Sequence, residues 1–444
     1  MKKFKLLIGI VFIGVILFGY FNYPKLNLIS GYASKNMASN VFIAHRNPID
    51  VTLNDHEMTL INLSECEVSE NDKSSTATVY GLMPRKAVFK AGVGAVLTNK
   101  EFSHHSFNIV PNRQNLKDSL PFPYGNKGVI DTILDNVDYD ILEVALSNAF
   151  KDSQQKTRSL LVVHKNQIIG ERYIRGFTKD SPILGWSMTK SILATLYGIL
   201  EYQGKLDMDY KPFSDEIQMK NLKSNITLNH LLRMQSGLSW DENYFKISDV
   251  TQMLFLASDM TIAQRNTKVI ASPTEIWNYS SGTTNLLSGI LREQFKTHQE
   301  YLDFPYQSLF DKIGMNSALL ETDLVGNYVL SSYGWATTRD WAKFGLLYLN
   351  KGEWNGERIF SESWVDYVSK PTQNSDGTYG AHFWLNAEGK YPDISRELYS
   401  ANGFQGQRVF IIPSKELVIV RTGLEEQTDD QFNTLLKEII ASIR

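Results

Sequence analysis

The chain has 444 residues, of which 43% are hydrophobic and 21% charged, and its formal net charge is -3. This composition is typical of a globular protein with a large core and excludes a wholly disordered chain. The nearly balanced charge argues against a nucleic-acid-binding protein, which carries a basic surplus. A single cysteine, Cys66, excludes an internal disulfide and a cysteine-based zinc site. The eight histidines are scattered, so we expect no metal.

Residues 1–23 predict a membrane anchor. Three lysines precede an uncharged apolar run from Leu6 to Phe21. The run is short for a spanning helix and suits the core of a signal peptide, but no Ala-x-Ala-like cleavage site follows it. We therefore expect an uncleaved, single-pass signal anchor, with the rest of the chain on the periplasmic or extracellular side of a bacterial cell membrane. A cleaved signal is the alternative.

Residues 24–125 predict a β-rich extension. Short β-like runs at 76–81 and 91–97 are separated from their neighbours by polar turns. The proline-rich stretch 121–125 is typical of a linker or boundary. We expect a small cap packed on the rest of the protein, and its role stays open.

Residues 126–444 predict a single α+β domain. Two hairpins are expected, at 159–173 and 407–421, and an amphipathic helix is expected at 429–443. Helical patterns dominate 187–370. This order favours an α/β sandwich, in which one antiparallel sheet is flanked by helices and an all-helical lobe is inserted in sequence.

The first candidate catalytic pair is Ser187 and Lys190. A helix beginning at Ser187 would bring the two side chains onto one face. A serine hydroxyl is a weak nucleophile until a base removes its proton, and a lysine whose pKa is lowered by burial can be that base. Alone, the pattern also fits an ordinary helix start. Ser153 and Lys156 match it in a polar stretch, which we interpret as accidental.

Two further motifs follow in the chain. The first is Thr227-x-x-x-Leu-Leu-x-x-x-Ser-Gly-Leu238, and the second is Tyr279-Ser-Ser281 at the start of a helical pattern. In this order, the three motifs resemble the serine β-lactamase and penicillin-binding-protein superfamily. The resemblance covers about residues 130–440 and is closest to the class C-like esterases and the 6-aminohexanoate-dimer hydrolases. It implies a β-lactamase/transpeptidase-like fold and a serine hydrolase that needs no cofactor.

The resemblance also implies catalytic roles. Ser187 corresponds to the nucleophile that accepts the acyl group, and Lys190 to its activating partner. Tyr279 corresponds to the second proton-transfer residue, although an ordinary core tyrosine is the alternative. The implied oxyanion hole consists of the backbone N–H groups of Ser187 and Phe404.

Four residues are implied to bind substrate: Tyr244, Ser281, Gly403 and Gln405. Tyr244 lies in a loop similar to one that lends a substrate-contacting tyrosine. Ser281 stands where β-lactamases commonly carry asparagine. The basic residue that usually precedes the glycine at position 403 is missing, which disfavours recognition of a substrate carboxylate.

The leading functional hypothesis is an exported, membrane-anchored serine hydrolase that cleaves an amide or ester bond of a small molecule through an acyl-serine intermediate. One alternative is a cell-wall D,D-peptidase or a β-lactamase. Another is a non-catalytic binding or scaffold protein with the same fold. The joint presence of Ser187, Lys190 and Tyr279 argues against the scaffold, because scaffolding does not need all three.

Overall fold

The structure is a computed structural model that describes residues 2–99, 109–114, 120–125, 127–129, 133–214 and 222–444. Its helices are α1 Lys2–Phe42, α2 Pro48–Asp50, α3 Tyr139–Lys151, α4 Met188–Tyr202, α5 Leu228–Leu232, α6 Asp249–Leu256, α7 Ser281–Glu293, α8 His298–Pro305, α9 Thr338–Leu349, α10 Glu362–Ser369 and α11 Asp429–Ala441. Its strands are β1 Ser64–Ser69, β2 Ser74–Val79, β3 Leu82–Lys90, β4 Gly94–Leu97, β5 Thr157–His164, β6 Gln167–Tyr173, β7 Ile183–Leu184, β8 Leu319–Leu320, β9 Gly334–Ala336, β10 Glu353–Trp354, β11 Glu357–Arg358, β12 Trp384–Leu385, β13 Tyr399–Gly403, β14 Gln407–Ile412 and β15 Leu417–Gly423.

The main sheet has six antiparallel strands in the order β12-β13-β14-β15-β5-β6. Side chains of a strand alternate between the two faces, so both faces of this sheet need an apolar cover. Leu160 and Val162 of β5 pack on one face with α3 and α11. Leu161 and Val163 pack on the other face with α4 and α9. The two predicted hairpins, the final helix and the α+β fold are therefore confirmed.

Helix α4 lies at the centre of the molecule. Its side chains from Met188 to Leu200 are buried on every side, which is typical of a helix enclosed by other elements. The helical lobe, α5 to α8, follows α4 in sequence, and α7 packs directly against α4. This arrangement places the start of α4 between the sheet and the helical lobe.

The N-terminal segment forms a second structural layer. Strands β1 to β4 make a four-stranded antiparallel sheet, and the second half of α1 packs on it and on α6. A buried ion pair fastens α1 to the rest of the protein, with 2.7 Å between Lys35 Nζ and Glu321 Oε1. Glu321 also accepts hydrogen bonds from the Ala95 amide at 2.7 Å and from Trp335 Nε1 at 2.8 Å. The division at residues 23 and 125 stays a prediction.

The predicted membrane anchor is wrong. Within the part of the chain that the structure describes, no helix combines the length and the apolarity needed to cross a bilayer. We expected the apolar segment to end at Asn22 and Pro24, whereas α1 continues through Pro24 to Phe42. From Ile29 onward most side chains of α1 are buried, so this part of the helix packs against the rest of the protein.

The Lys35–Glu321 pair generates a stability prediction. Changing Glu321 to Gln removes one charge of a fully buried pair and leaves the Lys35 ammonium without its partner. We expect the free energy of unfolding to fall by about 3 kcal/mol or more. Urea unfolding followed by circular dichroism measures this change.

The matched control is Glu362→Gln, which breaks the exposed ion pair with Lys351. Exposed pairs contribute little because water screens both charges, so we expect no measurable change. Equal effects of the two substitutions would contradict the proposed docking of α1 through Glu321.

Candidate active site

Ser187 stands immediately before α4, at the end of a sharp turn. Trp186 has a φ of 49°, in the left-handed region that non-glycine residues rarely adopt. At Gly185 a Cβ atom would lie 2.3 Å from the ring of Trp341, so only glycine fits there. The turn and its tight packing together present Ser187 to a cavity at the surface of the protein.

Lys190 lies one helical turn beyond Ser187 and is almost completely buried. Its Nζ is 3.0 Å from Ser187 Oγ, 3.0 Å from Ser281 Oγ and 2.8 Å from the carbonyl oxygen of Ser331. These three contacts match the three N–H donors of an ammonium group. Burial lowers the pKa of Lys190 to about 8, and the negative charge of Glu242 opposes this shift.

Glu242 is a site residue that the sequence analysis missed. One carboxylate oxygen accepts from Ser281 Oγ at 2.5 Å and from Tyr244 OH at 2.8 Å. The other accepts from the Ser281 amide at 2.9 Å and from Trp240 Nε1 at 2.5 Å. Glu242 thus anchors Ser281, which contacts Lys190. Its position two residues before Tyr244 was the only signal in the sequence.

Tyr279 completes the polar cluster. Its hydroxyl interacts with the Ser187 side chain, which lowers the pKa of Tyr279, and the Lys190 ammonium lies 5.0 Å from the centre of its ring. Burial and the nearby Glu242 carboxylate raise the pKa of Tyr279 well above the usual value for a phenol. The phenol therefore keeps its proton at neutral pH and can act as a proton donor.

The end of β13 runs beside the turn that carries Ser187. A Cβ atom at Gly403 would lie 2.0 Å from the Gly185 carbonyl oxygen, so only glycine permits this approach. The ring of Phe404 packs edge-on against Trp186, with 5.7 Å between ring centres. The backbone amides of Ser187 and Phe404 have no hydrogen-bond partner among the described residues.

The cavity in front of Ser187 has a volume of about 420 Å³. Of the residues that we predicted to form the site, Ser187, Tyr279, Tyr244, Gly403 and Phe404 line it.

The other three predicted residues, Lys190, Ser281 and Gln405, lie outside the cavity lining. Ser281 is fully buried and is held between Lys190 and Glu242. The buried side chain of Gln405 is directed to Met58, with 3.5 Å from its Nε2 to the sulfur. The structure thus brings Ser187, Lys190 and Tyr279 together, while the side chains of Ser281 and Gln405 contact other protein groups.

Comparisons with known proteins identify the family and the fold. The family model described as Beta-lactamase matches residues 146–435. The chain belongs to this family. A 6-aminohexanoate-dimer hydrolase from Paenarthrobacter ureafaciens is 22% identical over 312 residues, which are 62% of this chain and 76% of that protein.

Two solved structures have the same fold. One is provisionally described as a 6-aminohexanoate-dimer hydrolase from Bacillus anthracis, with a TM-score of 0.59, 22% identity, and coverage of 77% of this chain and 92% of that one. The other is a penicillin-binding protein homologue from Caulobacter crescentus, with a TM-score of 0.55, 14% identity, and coverage of 71% and 100%. The predicted superfamily is confirmed, and the chain is a serine hydrolase of the beta-lactamase family.

The pKa of Lys190 generates a prediction about pH. Only the neutral amine can accept a proton, and at pH 7 about one lysine in ten would be neutral. We expect kcat/KM for a neutral ester to rise about tenfold between pH 7 and pH 9, with a midpoint near the pKa of about 8. Glu242→Gln removes the charge that raises the pKa of Lys190, so the midpoint should move to lower pH.

The matched control changes the neighbouring carboxylate, Asp241, which pairs with Lys246 at the surface. Asp241→Asn should leave the midpoint unchanged. A midpoint that Glu242→Gln does not move would contradict an electrostatic link between Glu242 and Lys190.

Proposed function

We propose that this protein hydrolyses an amide or ester bond of a small, uncharged substrate through an acyl intermediate on Ser187. Ser187 Oγ attacks the carbonyl carbon while Lys190 takes the hydroxyl proton. The oxyanion is held by backbone N–H groups, the leaving group departs with a proton, and water then releases the acyl group.

The direction of the hydrogen bonds around Lys190 carries this proposal. The Ser331 carbonyl can only accept, so Lys190 donates to it. Ser281 has a single hydroxyl proton and donates it in a hydrogen bond to Glu242. Ser281 Oγ therefore accepts a hydrogen bond from Lys190. A neutral lysine has two N–H donors, and these two acceptors use both of them. Its lone pair is then directed to the third neighbour, Ser187 Oγ, at 3.0 Å.

Tyr279 is proposed to protonate the leaving group. Its hydroxyl interacts with Ser187, its raised pKa keeps the phenol protonated, and the Lys190 ammonium lies 5.0 Å from the centre of its ring. After it has given up its proton, the phenolate can recover one from the lysine ammonium. In the second half of the reaction, the same two groups take the proton of the attacking water.

The oxyanion hole is proposed to be formed by the amides of Ser187 and Phe404. Both amides lack a hydrogen-bond partner among the described residues, and Gly403 brings its strand next to the Ser187 turn. Fixed donors aimed at a developing negative charge contribute a few kcal/mol each to lowering a barrier. We propose Tyr244 and Gly403 as substrate contacts. Ser281, because it is buried, acts through Lys190.

The charge arrangement favours an uncharged substrate over a penicillin-type acid. Ala401 stands two residues before Gly403, where the family usually has a basic residue. Arg408, the cross-strand neighbour of Asn402, does line the cavity, but this guanidinium is paired with Glu426. A substrate carboxylate would therefore have to compete with Glu426 for its cation.

The test is steady-state hydrolysis of 4-nitrophenyl acetate and an acetanilide by the folded protein and three variants. We expect Ser187→Ala to lower kcat/KM by about 10³-fold or more, because it removes the attacking group. Lys190→Ala should lower it about 10²- to 10⁴-fold, through loss of the general base. Tyr279→Phe should slow the anilide more than the nitrophenyl ester, whose leaving group needs no proton.

The chain provides its own control, since Ser153 and Lys156 repeat the same spacing. Lys156 pairs with Glu57 near the surface. Ser153→Ala and Lys156→Ala should leave both rates unchanged. Full activity in folded Ser187→Ala, or no hydrolysis of either substrate by the native protein, would overturn the proposal.

A further inference from the structure

We propose that the acyl group of the substrate is an aliphatic chain and that the N-terminal segment supplies one wall of its binding site. This inference rests on the acyl-serine mechanism proposed above. It concerns residues 25–61, which lie outside the matched family region, residues 146–435.

The N-terminal segment takes part in the cavity directly. Leu28 and Ile29 of α1, and Met58, Leu60 and Ile61 of the segment that precedes β1, line the same cavity as Ser187. Apolar side chains of the catalytic domain line the same cavity: Phe245, Leu254 and Phe255. The cavity in front of Ser187 is thus lined by apolar side chains from both parts of the chain.

Several apolar side chains that line the cavity are exposed in the free protein. The exposed fraction is 86% for Phe245, 45% for Leu60 and 40% for Phe404. Leu60 also has a φ of 73°, in the left-handed region that a leucine rarely adopts. Contiguous exposed apolar surface around a reactive group is typical of a ligand-binding groove, because a bound apolar group removes it from water.

The arrangement of the aromatic rings distinguishes the acyl side from the leaving-group side. Tyr279 is packed against Trp384, with 5.3 Å between ring centres. The leaving group, which takes its proton from Tyr279, therefore lies on that side. Trp186, next to the nucleophile, stacks instead on Tyr32 of α1, with 6.2 Å between ring centres. The acyl chain consequently extends toward α1.

The wall is fixed before substrate binds. Lys35 of α1 forms its buried ion pair with Glu321, and Asp55, close before Met58, accepts from Arg158 at 2.7 Å. Both partners belong to the catalytic part of the chain. A preformed apolar wall binds a flexible chain without a further cost of ordering the protein.

The test uses the full chain and two series of esters below their aggregation concentrations. In the first series, 4-nitrophenyl acetate, butyrate and octanoate differ only in the acyl chain. Each fully buried methylene raises kcat/KM about fourfold, so we expect a gain of at least about 50-fold from acetate to octanoate. In the second series, octyl acetate and ethyl acetate differ only in the alcohol, and we expect no comparable gain.

Two variants test whether the cavity lining causes the dependence of kcat/KM on acyl length. Leu60→Asn makes the wall polar with a residue that tolerates the left-handed region. Phe245→Ser removes an exposed apolar ring that the catalytic domain contributes to the same cavity. Each should lower the octanoate-to-acetate ratio of kcat/KM by about threefold or more. Leu53→Asn is the matched control, since Leu53 is 65% exposed in the same segment and lies outside the cavity lining. It should keep the native ratio.

The outcomes distinguish failure of the acyl-chain inference from failure of the acyl-serine mechanism. Hydrolysis that does not depend on acyl length, a gain confined to the alcohol series, or an unchanged ratio in both wall variants would overturn this inference and leave the acyl-serine mechanism standing. Absence of hydrolysis in every ester, with no acylation of Ser187, would instead overturn the mechanism on which the inference rests.

Discussion

The site depends on the burial of one amine. Removing the Lys190 ammonium from water is costly, and the protein limits that cost with three oxygen acceptors at 2.8 to 3.0 Å. Burial, opposed by the charge of Glu242, brings the pKa of Lys190 to about 8, so the amine can lose its proton near neutral pH. The acceptors come from the turn before α4, the start of α7 and the chain before β9. The surrounding apolar core must therefore hold these three segments in fixed relative positions.

The sequence was sufficient to predict which groups with local spacing lie close together. Ser187 and Lys190 are one helical turn apart, and the hairpin of β5 and β6 is continuous in sequence. The catalytic roles of Ser187 and Lys190 came from the family resemblance. The copy at Ser153 and Lys156 shows why spacing alone does not suffice. There Lys156 lies near the surface with Glu57, while Lys190 is enclosed by the core.

The remaining features arise from contacts between distant segments. Glu242 follows no periodic pattern, and its importance comes from the approach of its loop to Ser281. The cavity wall at Leu60 lies more than a hundred residues before Ser187 in the chain. The anchor predicted for residues 1–23 was wrong. Local hydropathy does not indicate that the same helix continues through Pro24 and that its part from Ile29 onward is buried against the protein. The N-terminal layer, fastened through Glu321, belongs to the structure of the site.

Ser187 is proposed to carry the acyl group during turnover. Acid quenching of Tyr279→Phe during hydrolysis of 4-nitrophenyl acetate, followed by intact-mass and peptide mass spectrometry, would detect this intermediate. The nitrophenolate leaves without a proton, so acylation proceeds while the loss of Tyr279 slows deacylation. We expect one added acetyl group on the peptide that contains Ser187. An acetyl group on another residue, or turnover with no acylated protein at any time point, would contradict it.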